Sequence, residues 1–290
     1  MAVDLGLGKT GVWYAADKLQ PAEWREFVAH IEDCGYGTLW HSEATGFEAM
    51  AFGAFLLSHT SKLKIGTAIA NIYARDAVAS RNGLRTLNQF SDGRYVLGLG
   101  ISHIPMVENF RGHSYGKPLA SMREYLAAMA AGQDEADQWP LLIAALGPKM
   151  LELAASATRG CIPYNVTPEH TARARAAMGD DGLVVVEQKF CLEQDPAKAL
   201  ELARGELARY MVLPNYRNNW LSLGFTQDDL ANGGNERFLN AMVVWGDEGT
   251  VRARVQAHRD AGADHVCIQP VHAPGDLAAA KRMLSAMAGV

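Results

Sequence analysis

Short, continuously apolar runs alternate along this chain with longer stretches whose apolar positions recur every three or four residues. The first kind reads as a strand covered on both faces, the second as an amphipathic helix. GVWYA (11–15) is the first strand. Pro21 opens a helix, at a position that tolerates proline, with Trp24, Phe27, Val28 and Ile31 on one face. GTLW (37–40) is the second strand, followed by a helix over 47–58. LKIGTAIANI (63–72) is the third, followed by a helix over 77–90. RYVLGLGI (94–101) precedes a helix near 118–131 with Leu119, Met122, Leu126 and Met129 in register. LLIAAL (141–146) leads into a helix over 149–157, and GCIPY (160–164) into one over 168–178. LVVVEQKFCL (183–192) precedes a helix over 196–210. HVCIQPV (265–271) is the eighth strand, and 276–288 is the closing helix.

Eight strand–helix alternations without a polar linker predict one α/β domain over 1–290, a (β/α)8 barrel. The competing architecture is a doubly wound open sheet with a G-x-G-x-x-G turn after its first strand. Here that junction is AADKLQP, which has no glycine, and GLGISH (98–103) follows the fourth strand without the third glycine. One stretch breaks the repeat. Residues 211–249, an insertion before the eighth strand, carry the polar, aromatic LPNYRNNW and a Thr226–Asp229 spacing of capping-box type. Such excursions form lids or interfaces near a barrel mouth, or simply pack on the barrel as helical decoration.

Composition fits a globular protein with a sizeable core: 49% hydrophobic, 20% charged, net charge −5. The acidic balance speaks against a nucleic-acid surface. No apolar run is long enough to span a membrane, and the N-terminus lacks signal-peptide character, so a cytoplasmic location is expected. Cys34, Cys161, Cys191 and Cys267 are widely spaced and read as reduced thiols. No H-E-x-x-H metal motif, G-x-S-x-G nucleophile elbow or phosphate-binding G-x-x-x-x-G-K-[ST] is present. No metal site is expected.

Barrel enzymes build their sites at the C-terminal ends of the strands. Those ends supply Trp13, His41, Glu43, Asn71, Ser102, His103, Gly147, Tyr164, Asn165, Thr167 and Gln269, among others. The set is aromatic and hydrogen-bonding with few charges, which suits a flat heteroaromatic ring.

Residues 66–103, GTAIANIYARDAVASRNGLRTLNQFSDGRYVLGLGISH, resemble the third and fourth strand region of the luciferase-like monooxygenase superfamily, particularly its coenzyme F420-dependent oxidoreductases. The resemblance is carried by Asn71, Tyr73 and Arg75, then Ser91, Gly93 and Arg94, then Gly98 and Gly100. Weaker similarity continues in 146–155, 160–170 and 245–266. It implies the barrel fold and a deazaflavin cofactor, coenzyme F420. It also implies a strand-three bulge with a non-prolyl cis peptide at Ala68–Ile69, pressed against the middle ring. Glu43 stands where many relatives carry a catalytic histidine, so it is the candidate proton-handling group, with His41 as its partner or substitute; a plain structural glutamate is the alternative. Asn71, Ser102 and His103 are candidates for the ring edge or ribityl chain, and Tyr164 and Asn165 for the ring pocket. Gly147 and Pro148, at a helix N-terminus, are candidates for the cofactor phosphate. Thr167 is either a second phosphate contact or a plain N-cap. Members of the superfamily tend to form homodimers through helices near the second and third strands, which the apolar 47–58 helix permits. The implied activity is hydride transfer between the deazaflavin and a small organic substrate. An FMN-dependent monooxygenase and a non-catalytic flavin-binding protein are the alternatives.

Overall fold

The computed structural model describes residues 4–290. Strands β1 (Thr10–Tyr14), β2 (Thr38–His41), β3 (Lys64–Thr67), β4 (Ala70–Asn71), β5 (Tyr95–Gly100), β6 (Leu141–Ile143), β7 (Gly160–Cys161), β8 (Leu183–Cys191), β9 (Val243–Trp245) and β10 (His265–Pro270) all pair in parallel. β3 and β4 are one barrel strand interrupted by a bulge, and β10 pairs with both β8 and β1, so eight strands close on themselves. Closure removes every open sheet edge from those eight. The expected (β/α)8 barrel is the observed fold.

Helices α1 (Pro21–Asp33), α2 (Ala49–Ser58), α3 (Ala77–Phe90), α4 (Pro118–Ala130), α5 (Pro148–Ala157), α6 (Pro168–Met178), α7 (Pro196–Leu207), α8 (Pro214–Ser222), α9 (Glu236–Met242), α10 (Glu248–Asp260) and α11 (Leu277–Ala286) follow. Proline opens α1, α4, α5, α6, α7 and α8. Its fixed φ suits the first helical turn, and its missing N–H would be unpaired there anyway. That is why sequence and structure agree so closely at these starts, α8 excepted, where the sequence reads only as a polar, aromatic stretch.

The barrel wall sorts its side chains by parity. Trp13, Trp40, Val96, Leu142, Ile162, Val185 and Cys267 fill the interior as one cluster. Their neighbours Val12, Tyr14, Leu39, Tyr95, Leu97, Ile143 and Val186 belong to the larger layer under the helices. The interior also holds His265, whose Nε2 accepts from Trp40 Nε1 at 3.0 Å while Nδ1 donates to Gly8 O at 2.8 Å. Both ring nitrogens are thereby committed in the neutral form.

The third barrel strand carries the bulge. Ile65 pairs with Tyr95, but Ala70 pairs with Leu99, so the third strand holds one more residue than its neighbour over the same span. Two glycines of the fourth barrel strand make room for it. A Cβ on Gly100 would lie 2.4 Å from Ile69 Cγ1, and one on Gly98 would lie 2.0 Å from Thr67 O. The glycine-rich fourth strand therefore serves close packing against the bulge.

The 211–249 excursion is more ordered than its sequence suggests. It contains α8, α9 and the unanticipated β9, which extends the sheet beside the far end of β8. Its apolar residues form a second core: Tyr210, Met211, Tyr216, Trp220, Phe225, Phe238, Leu239 and Met242. The Thr226–Asp229 capping pair is formed in both directions, at 2.8 and 3.1 Å. A π-helical turn at Pro105–Phe110, just beyond the fourth barrel strand, was likewise not legible in the sequence.

Three buried histidines make stability fall with acid. Burial lowers His41 and His265 to about 4 and His258 to about 3, from an ordinary 6.5. The unfolded chain takes up these protons below pH 6.5 while the folded chain resists until pH 4 or lower, so stability is full above 6.5 and declines below it. Each group adds a slope of up to about 1.4 kcal/mol per pH unit. Denaturant unfolding at pH 7.5, 6 and 5 should show a progressive loss; a flat profile would contradict the burial of these rings.

Candidate active site at the barrel mouth

The bulge at the end of β3 reaches the mouth. Ala68 and Ile69 are half-buried, and the peptide between them is cis, where the resemblance placed it. Three contacts hold the segment. Ala68 N donates to His41 O at 2.7 Å, Glu43 N donates to Ile69 O at 3.1 Å, and Trp13 Nε1 donates to Ala68 O at 3.1 Å. Asn71 follows, buried, with Oδ1 accepting from Tyr73 N at 2.9 Å in a turn.

Glu43 and His41 do not sit where a substrate reaches them. The Glu43 carboxylate is 2% exposed and ion-paired with Arg75. Its oxygens also accept from Asn71 N at 2.7 Å and from Ala49 N at 3.3 Å. A carboxylate committed in this way ties the second strand's end to the third and to the start of α2. His41 has the opposite parity to Trp40. It faces the helix layer, fully buried, with its ring edge-on to Phe52 at 4.9 Å. The two residues do point the same way, as an extended strand requires, but that way is outward.

The half-exposed histidine at the mouth is His103. It follows Ser102, which has φ +55°, and precedes the π-helical turn. Its ring lies 5.7 Å from Tyr216 of α8. Burial pulls its pKa below the ordinary value, opposed by a hydrogen bond that the ring donates to the Asn215 side chain. Tyr216 lies 6.2 Å from Tyr164, so α8 spans the mouth between the fourth and sixth barrel strands. Tyr164 OH donates to Gln269 Oε1 at 2.9 Å and lies 2.8 Å from Tyr210 OH. Gln269 Nε2 in turn donates to Glu206 of α7 at 2.9 Å. Glu206, although burial would raise it, is held at about 2 by Lys18, Lys189 and Arg209.

Asn165 is clamped beneath Tyr164. Its N donates to Glu187 Oε2 at 3.3 Å, its Oδ1 accepts from Lys189 Nζ at 2.6 Å, and its C=O accepts from Trp220 Nε1 at 3.0 Å. Further round, His170 Nε2 donates to Leu146 O at 2.9 Å, binding the first turn of α6 to the residue before Gly147. The N-termini of α5 and α6 are thus side by side. Gly147 and Pro148 are exposed or nearly so, and nothing lies within 4 Å of where a Gly147 Cβ would be. Thr167, buried, is the N-cap residue of α6 by position, but its hydroxyl makes no capping bond. An aromatic floor, an uncommitted amide N–H and two adjacent helix N-termini fit a flat ring with an anionic tail.

Sequence reasoning missed Tyr210, Tyr216, Trp220, Glu187, Lys189 and Glu206. One signal was available: Glu187 and Lys189 interrupt an otherwise apolar strand with two charges of the same parity. Gln188, between them, faces outward instead, to His258 Nε2 at 2.9 Å.

The luciferase-like monooxygenase family model matches residues 6–137. A Mycobacterium tuberculosis protein named as a coenzyme F420-dependent oxidoreductase is 38% identical over 122 residues, 42% of this chain; the match spans only 34% of that relative's own length. Among solved structures, an F420-dependent secondary alcohol dehydrogenase in complex with an F420-acetone adduct superposes with a TM-score of 0.74 at 16% identity, covering 90% of this chain and 93% of that one. The oxygenating constituent of 3,6-diketocamphane monooxygenase from Pseudomonas putida, in complex with FMN, gives 0.71 at 14% identity, covering 97% and 96%. The match to the luciferase-like monooxygenase family model thus runs through the first four barrel strands, and the fold those solved structures share continues over the rest of the chain.

Proposed function

We propose that this chain is an oxidoreductase that moves a hydride between a deazaflavin, coenzyme F420, and a small organic substrate. The observation that carries the reading is the bulge at Ala68–Ile69, half-exposed at the mouth and joined through Trp13 to the aromatic wall of Tyr164 and Tyr216. The family-model match covers this stretch, and a relative named for coenzyme F420 is 38% identical over 122 residues. When bound, the cofactor supplies two-electron hydride chemistry. The protein supplies the surroundings. Ala68 and Ile69 would back one face of the ring, while Ser102, His103 and Asn165 would meet its polar edge. Gly147, Pro148 and Thr167 offer the paired helix N-termini to the phosphate. The tyrosines and α8 exclude water.

Glu43 acts as a strut that sets the height of the bulge through Asn71 and Arg75, which leaves the proton to another group. His103, held neutral by burial, is the histidine at the mouth that can exchange one with substrate. A pair of copies meeting through α2, whose outer face shows Ala51 and Ala54, belongs to the same proposal. The second reading, an FMN-dependent monooxygenase, is favoured by the likeness to an FMN-bound structure at nearly the same TM-score.

Fluorescence titration of the purified protein with coenzyme F420 and with FMN separates the two; tighter binding of FMN would transfer the assignment to the second reading. Gly100→Ala, which pushes a methyl into Ile69, should weaken binding of the preferred ring at least about tenfold, about 1.4 kcal/mol, with unfolding still cooperative. Glu43→Gln leaves Arg75 its second carboxylate partner, Glu48, and should cost about 1.5 kcal/mol of stability by removing the charge from the first pair, with the pH profile of turnover unchanged. His103→Gln should flatten that profile instead, and the reverse pattern would return the proton to Glu43.

A further inference from the structure

Glu187 and Lys189 form an ion pair inside the barrel, 1% and 0% exposed, 3.2 Å apart. Two charges buried this deeply are stable only when paired and hydrogen-bonded, and hydrophobic residues of similar volume would hold the barrel as well. What the pair does beyond filling space is visible in its third partner. Lys189 Nζ carries only donors, so the atom of the Asn165 amide 2.6 Å away is the oxygen. The Glu187 carboxylate binds both Lys189 Nζ and the Asn165 N–H. Trp220 takes the Asn165 carbonyl. Asn165 has φ +57°, a conformation that residues other than glycine seldom adopt, and these three bonds hold it there. The Tyr164 ring closes over Lys189, 3.9 Å from its Nζ, so the amine meets no ligand itself. Of the Asn165 polar atoms one is uncommitted. Nδ2 is buried and has no partner among the described residues. A buried amide N–H left without an acceptor is costly, and a ligand oxygen removes that cost.

We propose that the Glu187–Lys189 pair is a positioning unit that fixes the Asn165 amide as a hydrogen-bond donor to a carbonyl oxygen of the ring bound at the mouth. The inference rests on the mouth being a ring-binding site, as the functional reading holds. Because Lys189 forbids the flipped amide, Asn165 donates and does not accept, so it selects ring edges that present a carbonyl there.

The test titrates the wild type, Asn165→Asp and the double variant Glu187→Met/Lys189→Met with coenzyme F420 and with FMN. Ring absorption and fluorescence are followed, with thermal unfolding measured in parallel. Asn165→Asp is isosteric and removes the donor. It should weaken binding of the preferred ring about tenfold and shift the bound ring's absorption maximum, which responds to a hydrogen bond at a ring carbonyl and not to general stability. The double variant removes both charges at similar volume. It should fold, show the same loss, and make the added Asn165→Asp change nearly silent, since the residues act as one unit. Wild-type affinity and an unshifted band in Asn165→Asp, or wild-type binding by a folded double variant, would overturn the proposal while leaving the functional reading intact. A wild type that binds neither ring would overturn both. Should the double variant fail to fold, the Asn165→Asp comparison decides alone.

Discussion

Closure of the barrel is the constraint on which the rest of this structure depends. Once β10 pairs with both β8 and β1, every strand residue must face either the interior or the helix layer, and the alternation leaves no third choice. Trp40 and His41 are neighbours in sequence, yet one packs inside against His265 and the other outside against Phe52. The same rule puts Glu187 and Lys189 inside and Gln188 outside. Two charges in the interior are held because each is the other's partner and Asn165 and Tyr164 complete their shells.

The mouth is built from two sources that meet. Strand ends contribute the bulge, Ser102, His103, Tyr164 and Asn165. The excursion contributes Tyr216 and Trp220, carried on a helix whose apolar side belongs to a separate core. Tyr216 touches the rings of both His103 and Tyr164, so the excursion is part of the site's wall as well as a decoration on the barrel. The bulge is supported from behind, where Glu43 receives the N–H of Asn71 and pairs with Arg75, and from beside, where Gly98 and Gly100 leave space for the extra residue. The shape of the mouth thus depends on groups buried behind it.

Much of this was legible in the chain itself. The count of strands, the helix starts at Pro21, Pro118, Pro148, Pro168 and Pro196, and the absence of a glycine turn after the first strand determined a parallel barrel, because periodicity and proline geometry are local properties. The bulge at Ala68–Ile69 was legible only through the family resemblance of the 66–103 segment; the close packing against Gly98 and Gly100 that accommodates it is seen in the structure. What the sequence could not decide was which strand-end residues look into the mouth. Glu43 and His41 stand at the right distance along the chain, but the parity of β2 turns them outward, and Arg75 closes on Glu43 from thirty-two residues away. Tyr216 joins His103 across more than a hundred residues, and Asn165 takes its direction from Lys189 on the neighbouring strand. Those meetings are set by barrel closure and by the packing of the excursion, which no local pattern encodes; only the tertiary structure could decide them.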